Sequence, residues 1–96
     1  MLILITYDVA TTTPQGRRRL RKMAQACKNY GQRVQKSVFE CNVEASHWVV
    51  LRDELLKIVH PEEDSLRFYH LDENARSRIE HFGVNEPVDF EGPLIF

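Results

Sequence analysis

The opening run Leu2-Ile3-Leu4-Ile5-Thr6-Tyr7-Asp8 limits what this chain can fold into more than any other stretch. Large apolar residues on successive positions, not alternate ones, predict a strand buried on both faces, and so a central strand of a sheet. The run ends abruptly on one carboxylate. A side chain at the end of a rigid strand is held in one place, which metal binding and acid–base chemistry both require. The same aspartate would also serve as an ordinary turn-starter or cap.

With 96 residues there is room for one domain and a single modest core. The hydrophobic fraction of 43% and charged fraction of 28% are those of a globular protein, not a disordered one. No stretch reads as a membrane span. The first apolar run is too short for a signal peptide, lacks a basic leader and closes on an acid, so a cytoplasmic protein is expected. Cys27 and Cys41 fall at apolar positions of a predicted helix and strand, without the spacing of a zinc site, and read as core thiols.

A net charge of −1 would by itself argue against a nucleic-acid partner. The distribution reverses that. Of the 14 acids, only Asp8 precedes Glu40, while Arg17, Arg18, Arg19, Arg21, Lys22, Lys28, Arg33 and Lys36 all do. A basic first third and an acidic remainder imply a localised anion-binding face.

After the polar loop 9–13, Thr13 is a suitable N-cap and Pro14 suits the first helical position. Leu20, Met23, Ala24, Cys27 and Tyr30 then line one helical face, with Gly31 as the expected C-cap. Arg17, Arg18 and Arg19 stand where the helix dipole is already positive, a placement that costs a few tenths to about 1 kcal/mol each relative to acids. Exposed arginines tolerate this in water. A phosphate held among them at the helix N-terminus would turn the same placement into a gain, and their closeness to Asp8 favours that reading.

Residues 33–36 and 37–43 predict two short strands joined tightly or by a bulge around 35–37. Ser37, Phe39, Cys41 and Val43 alternate with Val38, Glu40 and Asn42. The alternation makes Phe39 a core residue first; Ser37 is either a plain turn hydroxyl or a phosphate donor. Ser46 is the expected N-cap of a second helix carrying Trp48, Leu51, Leu55, Ile58 and Val59, which His60-Pro61 ends. A turn at Glu62-Glu63-Asp64 leads into a strand over 65–71. His47, His70 and His81 are given no role. The order strand, helix, strand, strand, helix, strand predicts an α+β ferredoxin-like βαββαβ sandwich: an antiparallel four-stranded sheet with two helices on one face. This core takes up about residues 1–72. Within 73–96, the apolar tail Val88-Asp89-Phe90 and Pro93-Leu94-Ile95-Phe96 needs burial, and adding a strand to a neighbouring subunit's sheet would provide it. A homodimer is expected.

At this point the residues match a known family. LITYDV, the arginine-rich helix start and GQRVQKSVFEC, in this order and followed by a closing PLIF, resemble the small CRISPR-associated proteins called Cas two, over essentially the whole chain. The resemblance implies a ferredoxin-like dimer whose last strand packs on the partner's sheet. It implies a role in spacer acquisition beside the CRISPR integrase, Cas one, and magnesium-dependent endonuclease activity on double-stranded DNA or single-stranded RNA. Carried over by position, Asp8 becomes the metal ligand (for Mg2+ or another divalent cation such as Mn2+). Arg17, Arg18, Arg33, Ser37 and Phe39 surround it; Arg19 belongs to the same arginine run, and which of the three aligns stays open.

A dimer gives Asp8 a further meaning. Two carboxylates brought to a two-fold axis repel unless a proton or cation lies between them. Magnesium often takes only one or two protein carboxylates and keeps its waters. An alternative of another class is a non-catalytic adaptor that tracks duplex DNA through phosphates and bridges the integrase. A ferredoxin-like small-ligand domain is disfavoured, since no Gly-rich loop accompanies the arginines. For an adaptation protein the expected substrate is duplex DNA.

Overall fold

Burial along the first strand decides which way the sheet faces. In the computed structural model, which describes residues 1–71 and 78–84, β1 (Leu2–Asp8) buries Ile3, Ile5 and Tyr7 and leaves Leu2, Leu4 and Thr6 half-buried. The expected burial on both faces is thus corrected: helices cover one face, while on the other, over which no helix lies among the described residues, Leu2, Leu4 and Val38 share the surface with Thr6, Asp8, Glu40 and Arg67. The chain continues through α1 (Pro14–Lys28), β2 (Gln32–Gln35), β3 (Val38–Asn42), α2 (Ala45–Ile58), β4 (Ser65–His70) and β5 (Ile79–Gly83). The sheet order is β2-β3-β1-β4-β5, every pair antiparallel. β1 is central, as expected. Its first four strands have the ferredoxin-like arrangement.

β5 was not expected. Residues 72–86 carry no clear alternation, and Gly83 reads as a breaker; instead it closes the strand at φ 112°, a backbone conformation open to glycine. The strand is held by its partners. Phe82 lies opposite Leu66, and Glu80, opposite Phe68, reaches His70 at 3.0 Å and Arg52 at 2.7 Å. The apolar tail expected to reach a partner lies outside the described residues.

Both helices pack on the face of Ile3, Ile5, Phe39, Cys41, Leu66 and Phe68 through Met23, Ala26 and Cys27 of α1 and Trp48, Leu51 and Leu55 of α2. Trp48 meets Phe68 edge-on, with ring centroids 4.8 Å apart. α1 starts as the sequence predicts: Thr13 Oγ1 accepts the Gly16 N–H at 3.0 Å. Its end differs. Asn29 is the C-cap, in a right-handed conformation, and Gly31 is needed for close approach, because a Cβ there would strike Cys41 Sγ and the Glu40 carbonyl. α2 begins one residue before Ser46, at Ala45 after Glu44, which makes no side-chain cap. Its stability therefore comes from the packed Trp48–Leu51–Leu55 face. Both cysteines are free and buried, as expected, and burial pushes their thiols up to about 12 at Cys27 and about 11 at Cys41. Among the described residues no helix is long and apolar enough to cross a membrane.

Candidate nucleic-acid and metal site

Asp8 is the last residue of β1, and backbone pairing fixes it from both sides. On one side it lies opposite Ser65 of β4. On the other, the neighbouring Tyr7 N–H donates to the Ser37 carbonyl at 3.1 Å, where β3 has not yet begun. The carboxylate is exposed and belongs to the helix-free face, the side carrying Leu4 and Thr6. Around it Ser37, Ser65 and Arg67 line a shallow depression of about 290 Å³. An anionic ligand position beside two hydroxyls and a guanidinium suits a phosphate held next to a cation.

The loop after Asp8 is tied down by a residue that sequence reasoning passed over. Asp64 is fully buried, although it ends the acidic run Glu62-Glu63-Asp64 that reads as a solvated turn. Its carboxylate accepts the Ala10 N–H at 3.1 Å, the His60 N–H at 2.9 Å, and Arg19 Nε and Nη2 at 2.8 and 3.2 Å. Burial pushes this carboxyl up, but Arg19 and the two backbone donors outweigh it and hold the group below its ordinary range. Arg19, counted with the phosphate-binding arginines from sequence, is spent on this internal pair and on Glu63 at 3.4 Å. Its neighbours differ. Arg17 Nη1 donates to the Thr11 carbonyl at 3.1 Å, lying back along the loop that follows Asp8, and Arg18 is exposed.

Arg33 and Phe39 are brought together, with Phe39 in a role other than the one its grouping with the site residues suggests. The Phe39 ring is wholly buried and has no surface to offer a base. It supports Arg33, whose Cζ lies 5.1 Å from the ring centroid, and stacks on Tyr7 at 6.2 Å. Burial raises the Tyr7 hydroxyl's pKa, opposed by its hydrogen bond with Arg33.

Ser37 and Tyr7 also border a second, larger depression of about 530 Å³ between α1 and the β2–β3 hairpin. Its cations are Arg21, Lys28, Arg33 and Lys36. Of these only Arg33 was singled out from sequence; the others were legible as basic residues, but α1 and the hairpin must be folded side by side before they share a groove.

Among the described residues no group of three or more His, Cys, Asp and Glu side chains is placed to hold a metal. Asp8 is the one carboxylate lining its depression, a sparse donor set that fits a cation keeping most of its waters, as magnesium does.

The comparisons with known proteins agree on one family. The family model for the CRISPR associated protein Cas2 matches residues 1–79. A curated relative from Chlorobaculum tepidum, named CRISPR-associated endoribonuclease Cas2, is 61% identical over 95 residues, 99% of either chain. One from Halalkalibacterium halodurans, named CRISPR-associated endonuclease Cas2, is 52% identical over the full length of both. The crystal structure of Streptococcus pyogenes Cas2 superimposes with a TM-score of 0.70 at 49% identity, covering 86% of this chain and 100% of that one. Sequence, length and sheet order thus lead to one conclusion: the chain belongs to the Cas2 family.

Proposed function

We propose that this chain is a divalent-cation-dependent endonuclease that works as a homodimer, with one Asp8 from each copy at a shared site. The observation that carries the reading is an exposed carboxylate at the pinned end of the central strand, on a sheet face that no helix covers among the described residues. Leu2, Leu4, Val38 and Ile79 are half-buried on that face, and a second copy packed against them would bury apolar surface. The names of the curated relatives, endoribonuclease and endonuclease, support phosphodiester cleavage.

In this reading the two Asp8 carboxylates bind the cation, Mg2+ or Mn2+, which when bound supplies a lowered water pKa and positive charge at the phosphate. The chain's own groups do the positioning. Arg17, Arg18 and Arg33 pair with phosphate oxygens, and the Ser37 hydroxyl donates to one of them. Arg33 is pre-oriented by Phe39, and the Asp64–Arg19 pair fixes the loop between Asp8 and α1. Asp8 holds no base and reads no sequence.

The test is cleavage of labelled single-stranded RNA and duplex DNA with magnesium or with EDTA, wild type beside Asp8→Asn. Metal-dependent cutting that the substitution abolishes, with binding retained, supports the proposal. Cutting that survives Asp8→Asn overturns it. A second reading has its own observation: the groove of four cations needs no metal. A non-catalytic adaptor that holds nucleic acid beside the CRISPR integrase during spacer acquisition would show binding by wild type and variant alike and cleavage by neither.

A further inference from the structure

We infer that the groove between α1 and the β2–β3 hairpin is a second phosphate-binding subsite that takes a single nucleic-acid strand as it leaves the Asp8 depression. Charge makes the first part of the case. Arg21, Lys28, Arg33 and Lys36 line the groove without a carboxylate among its lining residues. Three cations elsewhere are matched by carboxylates, Arg19 by Asp64, Arg52 by Glu80 and Lys57 by Asp53, while Arg17, Arg18 and Lys22 stand exposed outside the groove. Among the described residues none of the four groove cations forms such a pair. Like charges converging on one concavity repel, and a polyanion turns that repulsion into attraction.

Continuity makes the second part. Tyr7 and Ser37 border both depressions, so a backbone whose phosphate lies beside Asp8 passes Ser37 directly into the groove. The wall chemistry makes the third. Leu20 and Ala24 of α1, both half-buried, give the groove an apolar side, and about 530 Å³ is the scale of a small-molecule site. A duplex presents phosphates and sugars outward and has little use for an apolar wall. A single strand exposes base faces that pack on one.

The inference deepens the nuclease reading but is tested without cleavage. Anisotropy of a labelled single-stranded RNA is measured in EDTA across a salt series, with a duplex of the same length alongside. Lys28→Gln/Lys36→Gln removes two groove charges, and Lys22→Gln/Lys57→Gln removes two exposed charges elsewhere. Each single-strand phosphate contact contributes about 0.7 to the salt slope, so the groove pair should flatten it by about 1.4, a roughly sevenfold smaller loss of binding between about 50 and 200 mM salt. The control pair should leave the slope close to wild type. An unchanged slope in the groove variant, equal flattening by the control pair, or equal weakening of the duplex overturns the inference. Arg21→Gln/Lys28→Gln repeats the test should the first variant melt below wild type. Loss of cleavage in Asp8→Asn with a wild-type salt slope, or the reverse, separates failure of one reading from failure of the other.

Discussion

Replacing Asp64 by alanine probes the anchor that holds the loop between the candidate metal ligand and its arginines. The fully buried carboxylate accepts two bonds from Arg19 and one each from the Ala10 and His60 amides. Its removal takes the buried counterion from the Arg19 guanidinium, which keeps only the exposed Glu63 at 3.4 Å, and leaves two backbone donors without an acceptor. Breaking a buried pair in this way costs about 3 kcal/mol or more. In a domain of this size each kcal/mol moves Tm by about 4–8 °C, so a fall of about 12–24 °C is expected at pH 7. The pH dependence carries the same signature. The folded carboxyl is held below its ordinary value of 3.8, so the pair stabilises the fold above that value and is lost as pH falls through the lowered one. Thermal denaturation followed by circular dichroism at pH 7 and near pH 3 should show the gap between wild type and Asp64→Ala narrowing on the acid side. Glu63→Ala removes only the exposed partner of Arg19 and should cost about 0.5 kcal/mol. A fall of less than about 4 °C for Asp64→Ala at pH 7, or a gap that persists undiminished in acid, would refute the assignment.

Further predictions test the fold around the site. Gly83→Ala should destabilise by more than ~1 kcal/mol in denaturant unfolding, since its φ of 112° is strained for alanine and a Cβ would strike the Asp64 carbonyl. Trp48→Ala should cost about 3–5 kcal/mol, measured the same way, by emptying the contact with Phe68. Cys27 and Cys41, with thiols pushed up to about 12 and about 11, should resist a thiolate-selective reagent at pH 8 until denaturant is added. Rapid labelling of the native protein would contradict their burial.

What the sequence made legible follows from how local each signal is. The cap at Thr13 and Pro14, the α1 and α2 faces and the alternation of Leu66, Phe68 and His70 are written in neighbouring residues, and each is present, whereas the irregularity between β2 and β3 lies at Arg33–Gln35, earlier than the 35–37 expected. Asp8 at the end of a central strand was legible for the same reason. β5 was not, because its place beside β4 depends on partners distant in sequence, such as Glu80 with His70 of β4 and Arg52 of α2. Asp64 hid in an acidic turn, since only the folded chain shows which of three adjacent acids is buried against Arg19. Phe39 was legible as core from its alternation, and its support of Arg33 emerged once the hairpin closed.

The most direct test of the central claim mixes wild-type and Asp8→Asn chains in varying proportion, allows the subunits to exchange, and measures magnesium-dependent cleavage. If one ion is held by Asp8 from both copies of a dimer, activity should follow the square of the wild-type fraction, about one quarter at an equal mixture. Activity proportional to the wild-type fraction would mean that each chain acts alone, and activity independent of it would mean that Asp8 is not the site.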